Sequence, residues 1–285
     1  MTFYRTLIDP HTLSQGLASP DWIVFDVRHD LANPDAGPAA YGAGHIPGAL
    51  FLHTDSDLSA AKTGKNGRHP LPDRREFAAR IASLGVSDNS QVIAYDASGG
   101  MFAARLWWML RWLGHDRVAV LDGGWPAWIA AGLPTDARAP APRAPGHFTI
   151  RAPLTRQVDA EQVLASVRNG DRLIVDARAA DRFRGENETI DPVGGHIPGA
   201  RNRFFRDNLA DDRFKPAAVL HREWEQIFDG EEAASVVAQC GSGITACHNL
   251  LALEIAGLPG AALYPGSWSE WVSDPSRPVA RGAEE

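Results

Sequence analysis

The chain repeats itself, and the repeat limits what it can fold into. Trp22-Ile23-Val24-Phe25-Asp26-Val27-Arg28, followed by Gly44-His45-Ile46-Pro47-Gly48-Ala49, returns as Leu173-Ile174-Val175-Asp176-Ala177-Arg178, followed by Gly195-His196-Ile197-Pro198-Gly199-Ala200. Val92-Ile93-Ala94-Tyr95-Asp96 is answered by Val236-Val237-Ala238-Gln239-Cys240, and Gly123-Gly124-Trp125-Pro126-Ala127-Trp128 by Gly266-Ser267-Trp268-Ser269-Glu270-Trp271. Matches kept in one order over most of a chain mark a tandem duplication. Each half alternates short β-branched runs with helical patterns. That alternation predicts an α/β fold: two tandem domains, each a mostly parallel central sheet flanked by helices.

Local signals place several elements. Asp9-Pro10 reads as an N-cap with proline at the first helical position. Strands are expected over 22–27, 91–95, 117–121 and 235–239, and helices over 74–84, 102–113, 125–131 and 246–256. Gly85, Gly132 and Gly257 stand where three of these helices should stop. Residues 134–146 carry four prolines and predict an extended, semi-rigid connector. The expected division is a first domain over 1–135, a linker over 136–150 and a second domain over 151–285. The halves differ in the stretch from Thr54 to Pro72, polar and rich in Lys, Gly and Asn, which reads as a loop. A long loop in a compact domain is more often functional or mobile than idle, and this one is expected to reach over the cleft between the halves.

Composition removes several function classes. With 285 residues, 44% hydrophobic and 22% charged, the chain is an ordinary globular protein of two-domain size. A net charge of −7 argues against nucleic acid as a partner. No apolar run has the length of a membrane span, and the first residues lack a signal peptide's apolar core. The two cysteines, Cys240 and Cys247, are too few for a disulfide scaffold and have no zinc-ligand spacing, so a cytoplasmic protein without metal or cofactor is expected.

Cys240 stands where a strand ends and a helix begins, in Cys240-Gly241-Ser242-Gly243-Ile244-Thr245-Ala246. The two glycines let the backbone curl so that successive N–H groups converge, and a helix N-terminus adds its positive end. Such a cradle of Gly241, Ser242, Gly243, Ile244 and Thr245 stabilises a thiolate or an anion beside it. A buried structural cysteine is the bland alternative. Two chemistries suit an activated thiol here. Phosphate-ester cleavage needs an arginine clamp closing the loop, and that position is Ala246. Sulfur transfer needs only the thiolate, which takes up a sulfur as a persulfide and passes it on. The matching residue of the first half is Asp96, which cannot be a soft nucleophile, so the first domain is expected to be catalytically inactive.

This loop, the two Asp-x-Arg pairs, the two His-Ile-Pro-Gly segments, Arg105-Leu106-Trp107-Trp108-Met109 and Gly266-Ser267-Trp268-Ser269-Glu270-Trp271 together resemble the 3-mercaptopyruvate sulfurtransferases of the two-domain rhodanese superfamily. The resemblance spans nearly the whole chain and implies two rhodanese-like domains. It also implies transfer of sulfur from a small anionic donor, 3-mercaptopyruvate, to cyanide, a small thiol or thioredoxin. Gly241 and Ser242 favour mercaptopyruvate, because relatives that prefer thiosulfate carry bulky or basic residues there. Thiosulfate:cyanide sulfurtransferase, and a non-catalytic sulfur carrier, are the other readings.

The family's proton relay of Ser, His and Asp falls on Ser242, on His69 in His69-Pro70-Leu71-Pro72, and near His53, with Asp55 and Asp57 beside it; Asp55 is the candidate acid. Neutral histidine suits a relay near neutral pH; a solvated loop histidine is the alternative. The family's donor-binding arginine falls on Arg182 in Asp181-Arg182-Phe183-Arg184-Gly185, and Arg184 is a second candidate, for which a surface charge is the alternative. Where the family usually has a further arginine this chain has Thr189-Ile190-Asp191-Pro192-Val193.

Overall fold

The computed structural model describes residues 3–283. They form two compact units, 3–60 with 72–154 and 61–71 with 155–283.

The first unit contains β1 (Leu7–Ile8), α1 (Pro10–Gly16), β2 (Trp22–Asp26), α2 (Ala36–Ala43), β3 (Leu50–Phe51), α3 (Arg74–Ser83), β4 (Gln91–Tyr95), α4 (Ala103–Trp112), β5 (Val118–Leu121) and α5 (Gly124–Ala130). Its five strands lie in the order β1-β5-β4-β2-β3, every pair parallel. The second unit contains β6 (Arg156–Gln157), α6 (Ala160–Asn169), β7 (Leu173–Asp176), α7 (Ala180–Arg184), β8 (Arg201–Asn202), β9 (Leu209–Ala210), β10 (Arg213–Phe214), α8 (Ala217–Phe228), β11 (Val236–Gln239), α9 (Thr245–Ile255), β12 (Ala262–Leu263) and α10 (Ser267–Trp271). Its sheet runs β6-β12-β11-β7-β8, again all parallel and in the equivalent order, while β9 and β10 form a small antiparallel ribbon.

Burial explains why these strands read as unbroken apolar runs. β4 and β11 are buried at every position, as strands covered on both faces must be. One core gathers Val24, Ile93, Tyr95, Ala119 and Trp128, and the other gathers Ile174, Val237, Tyr264, Trp268 and Trp271. The helix punctuation works as expected. The Asp9 carboxylate accepts from the N–H groups of His11 and Thr12 at α1, and Gly85 and Gly257 take positive φ of 91° and 74° just past α3 and α9.

The duplicated Asp-x-Arg and His-Ile-Pro-Gly segments lock to each other within each unit. Arg28 binds the Asp26 carboxylate and donates to the Gly44 carbonyl at 2.6 Å, with its guanidinium 4.5 Å over Trp125. Arg178 does the same with Asp176, with the Gly195 carbonyl at 2.7 Å, and 4.6 Å over Trp268. The rings of His45 and His196 stack on Tyr41 and Phe183, their Nδ1 atoms 2.9 Å from the carbonyls of Tyr41 and Phe183.

Two stretches differ from a simple cut at the connector. Residues 61–71 lie in sequence inside the first half but group with the second unit. Here the Arg68 N–H donates to Ser269 Oγ at 3.0 Å, and Gly67, at φ 80°, lies so near the Gly266 carbonyl that a Cβ would come within 2.7 Å of that oxygen. The proline-rich connector, in turn, is docked rather than free. Asp136 and His45 exchange backbone hydrogen bonds, the Gly146 N–H donates to the Ala82 carbonyl, and the His147 carbonyl accepts from Asp88. Extended proline-rich backbone makes no internal hydrogen bonds, so its polar groups are available to the unit it lies along.

Candidate functional site

β11 delivers Cys240 to the carboxyl end of the second sheet, and α9 begins five residues later. The thiol is 2% exposed. Gly243 and Ser242 donate their N–H groups to Cys240 Sγ at 3.1 and 3.5 Å. Gly243 can do so because it adopts φ 79°, and its missing Cβ admits the Pro265 carbonyl, which a side chain would meet at 2.3 Å. Ile244 and Thr245 are buried at the start of α9, where the helix's positive end faces the loop. Of the five residues expected in the cradle, Ser242 and Gly243 therefore contact the sulfur directly.

The start of α10 clamps the other side. Trp268 and Ser269 donate their N–H groups to the carbonyls of Cys240 and Gly241 at 2.9 and 3.0 Å. Ser267 holds a left-handed φ of 53°, uncommon for a side-chain-bearing residue. Its hydroxyl accepts from the Cys240 N–H at 3.1 Å and donates to the Tyr264 carbonyl at 2.9 Å, so the unfavourable backbone is stitched in place. The first unit has Gly124 here, at φ 54°. Ser267 was not among the residues singled out from sequence, although its pairing with a glycine across the repeat could have flagged it.

The Ser242 hydroxyl is hydrogen-bonded to Nδ1 of His69 at 2.8 Å, and His69 is 4% exposed. A solvated loop histidine is thereby excluded. Asp55 lies in the first unit: its N–H donates to Nδ1 of His53 at 3.1 Å, and its carboxylate is 3.8 Å from Nε2 of His29. His29, His53 and Asp55 are the one group among the described residues whose ligand atoms could share a metal ion, all within 4.8 Å of one another.

Arg182 projects from α7 and is gripped by the Glu188 carboxylate through four contacts of 2.8–3.3 Å, with Asp191 at 3.3 Å. Burial works against the Glu188 carboxylate, but Arg182 and the N–H groups of Asp191 and Ile190 outweigh it and hold its pKa below the usual range. Asp191 goes the other way, with burial pushing it up. Arg184 pairs with Glu186 instead, both substantially exposed. A residue that sequence reasoning passed over, Arg68, sits next to His69 in chain and reaches the nucleophile loop. A Cβ placed on Gly241 would lie 2.8 Å from Nη2 of Arg68 and 3.7 Å from Nη2 of Arg182. Its neighbour His69 was the available signal. Cys247 is buried on α9 with its thiol 3.3 Å from the Gly243 carbonyl.

The first unit keeps the cradle and fills it. Asp96 Oδ1 accepts from the N–H groups of Ser98 and Gly100 at 2.7 and 3.0 Å, and Oδ2 from those of Phe102 and Ala103 at 2.7 and 2.9 Å. Burial pushes the Asp96 carboxyl upward, against four donors that favour its charged form.

Comparison with known proteins is consistent across the chain. The model of the rhodanese-like domain matches residues 9–131 and again 159–274. A probable 3-mercaptopyruvate sulfurtransferase of Pseudomonas aeruginosa is 47% identical over 279 residues, covering 97% of this chain and 98% of that relative. A putative thiosulfate sulfurtransferase of Mycobacterium tuberculosis is 38% identical over 264 residues, covering 91% and 90%. The structure of a 3-mercaptopyruvate sulfurtransferase from Leishmania major superposes with a TM-score of 0.84 at 30% identity, over 94% of this chain and 74% of that one. No helix among the described residues is long and apolar enough to cross a membrane.

Proposed function

The chain belongs to the rhodanese family and is a sulfurtransferase, and on that premise we propose that it moves sulfur from 3-mercaptopyruvate to a thiophilic acceptor through a persulfide on Cys240. The observation that carries this reading is the Cys240 sulfur held against the N–H groups of Gly243 and Ser242 in a loop that has no arginine clamp for phosphate.

In the first half-reaction the Cys240 thiolate attacks the donor's thiol sulfur. The new S–S bond forms as the donor's C–S bond breaks, and its electron pair goes to carbon. The proton of the donor thiol ends on that carbon, giving pyruvate, and leaves the persulfide as Cys240–S–S⁻. N–H donors aimed at the sulfur stabilise this anion. Ser242 and His69 are suited to pass the proton, since the two are hydrogen-bonded and buried; Asp55 is proposed as the acidic member from its place in the sequence. Arg182 is proposed to bind the donor carboxylate through Nη1, because Glu188 and Asp191 already hold its Nε and Nη2. In the second half-reaction cyanide or a thiolate takes the outer sulfur and restores the Cys240 thiolate. A small protein thiol such as thioredoxin is the proposed physiological acceptor, in the cytoplasm, where such thiols are kept reduced.

Steady-state kinetics with cyanide as acceptor test the donor. A kcat/KM for mercaptopyruvate above that for thiosulfate is expected. The reverse order would make the protein a thiosulfate:cyanide sulfurtransferase, a reading favoured by the lack of arginine in 189–193 and by the name of the Mycobacterium tuberculosis relative. A further expectation concerns the cradle. Gly243→Ala forces a side chain into the left-handed region, costing about 1–2 kcal/mol, and drives a Cβ against the Pro265 carbonyl. The N–H donor at 3.1 Å must then move off the sulfur, and kcat/KM should fall by about 10-fold or more. An unchanged value would show that this donor plays no part in the reaction.

A further inference from the structure

Two guanidiniums converge on the backbone of Gly241, the residue that follows the nucleophile. They come from distant segments of the second unit, Arg182 from α7 and Arg68 from the polar loop. Arg68 is placed by its backbone, fixed to Ser269 Oγ at 3.0 Å. Its Nη1 is paired with one oxygen of Asp191, whose other oxygen accepts from Nη2 of Arg182 at 3.3 Å. Asp191 thus spans the two cations with one carboxylate, its side chain 3% exposed. Nη2 of Arg68, the atom nearest Gly241, has no hydrogen-bond partner among the described residues. The Arg68 side chain is 26% exposed, so this donor faces space that a small ligand can enter, and an anion at Cys240 would supply it with an acceptor.

We infer that Arg68 recognises the sulfur donor: its Nη2, with Arg182, receives the carboxylate of a small α-keto acid donor beside Cys240, while Asp191 holds both guanidiniums and competes with the donor for them. The inference rests on the proposed sulfur transfer at Cys240. Gly241 then has a role beyond flexibility, because a Cβ there would lie 2.8 Å from Nη2 of Arg68 and oblige that guanidinium to shift. Arg68 supplies from the loop the positive charge that the stretch 189–193 does not contain. Within this cluster Arg68, Arg178 and Arg182 are opposed by Asp176, Glu188 and Asp191, so no large excess of charge invites a dianion. A single carboxylate is the better match.

A simple structural ion pair predicts that removing either partner does the same damage. A recognition site predicts opposite signs. Two readouts separate them on the full-length chain: KM for mercaptopyruvate, and the pyruvate concentration that half-protects Cys240 from alkylation by iodoacetamide, followed by mass. The second needs no turnover, so it stands even if mercaptopyruvate is not the sulfur donor. Loss of one charge-assisted carboxylate contact in Arg68→Gln should raise both values about 10-fold, with Arg68→Lys recovering part of the loss. Asp191→Asn should lower both. Equal movement of Arg68→Gln and Asp191→Asn in one direction, or no protection of the wild-type Cys240 by pyruvate, overturns the inference. Failure of the wild-type protein to take sulfur from mercaptopyruvate while pyruvate still protects Cys240 would overturn the proposed donor and leave the carboxylate site standing.

Discussion

Cys240→Ser is expected to abolish sulfur transfer, with thiocyanate formation falling on the order of 10⁴-fold or more, as when a covalent nucleophile is removed. The substitution is close to isosteric, and a serine oxygen can accept the Gly243 and Ser242 N–H groups as the sulfur does. The fold should therefore survive. The loss is chemical, because a hydroxyl at neutral pH has almost no anionic form and cannot hold sulfur as a persulfide. Intact mass after donor treatment gives the second readout: the wild-type chain gains one sulfur that cyanide removes, and the variant gains none. Residual activity above about 1% would point to another carrier. Cys247 would then be examined first, although its thiol is buried against the Gly243 carbonyl.

Asp96→Ala is expected to be the most damaging single change in the first unit. It removes one buried carboxylate and leaves the N–H groups of Ser98, Gly100, Phe102 and Ala103 without their acceptor. A buried donor left unmet costs about 1–3 kcal/mol. Relaxation and entering water would recover part of that, so a net loss of about 4 kcal/mol is expected from the same bookkeeping. Asp96→Asn keeps one acceptor oxygen and should lose less. Urea unfolding of the whole chain measures both, analysed for two transitions because two units need not unfold together. If alanine and asparagine cost the same, and less than about 1 kcal/mol, the four bonds are not what holds this loop. The same geometry supports the proposal that the first unit is catalytically inactive. Its cradle is built, and its own side chain fills it.

The architecture was legible because duplication is a global signal, and buried parallel strands leave apolar runs that local reading detects. β4 matched its expected bounds, and the glycines after α3 and α9 marked their ends. α8 was not expected, although its buried Leu220, Trp224 and Phe228 recur at four-residue spacing. Cys240, Ser242 and His69 could be named from motif context, and the second unit holds all three together. Arg184, the second candidate for the donor, is paired with its neighbour Glu186. Arg68 and Ser267 escaped notice for a physical reason. Each is positioned by contacts that no local pattern encodes, Arg68 by a hydrogen bond to a residue 201 positions away and Ser267 by its bonds to Cys240 and Tyr264; the signals in the sequence were indirect, His69 beside Arg68 and Gly124 opposite Ser267 in the repeat.

The excursion of residues 61–71 bears on the history and handling of the protein. A duplicated gene begins as two equal, separable copies. Here one copy has lent eleven residues to the other, among them Arg68 and His69. A polypeptide beginning at the proline-rich connector would carry Cys240 and its N–H donors but lack the histidine on Ser242 and the guanidinium at Gly241. The copies have become a donor of parts and a recipient, and the connector, which looks like the natural place to divide the chain, no longer separates two whole things.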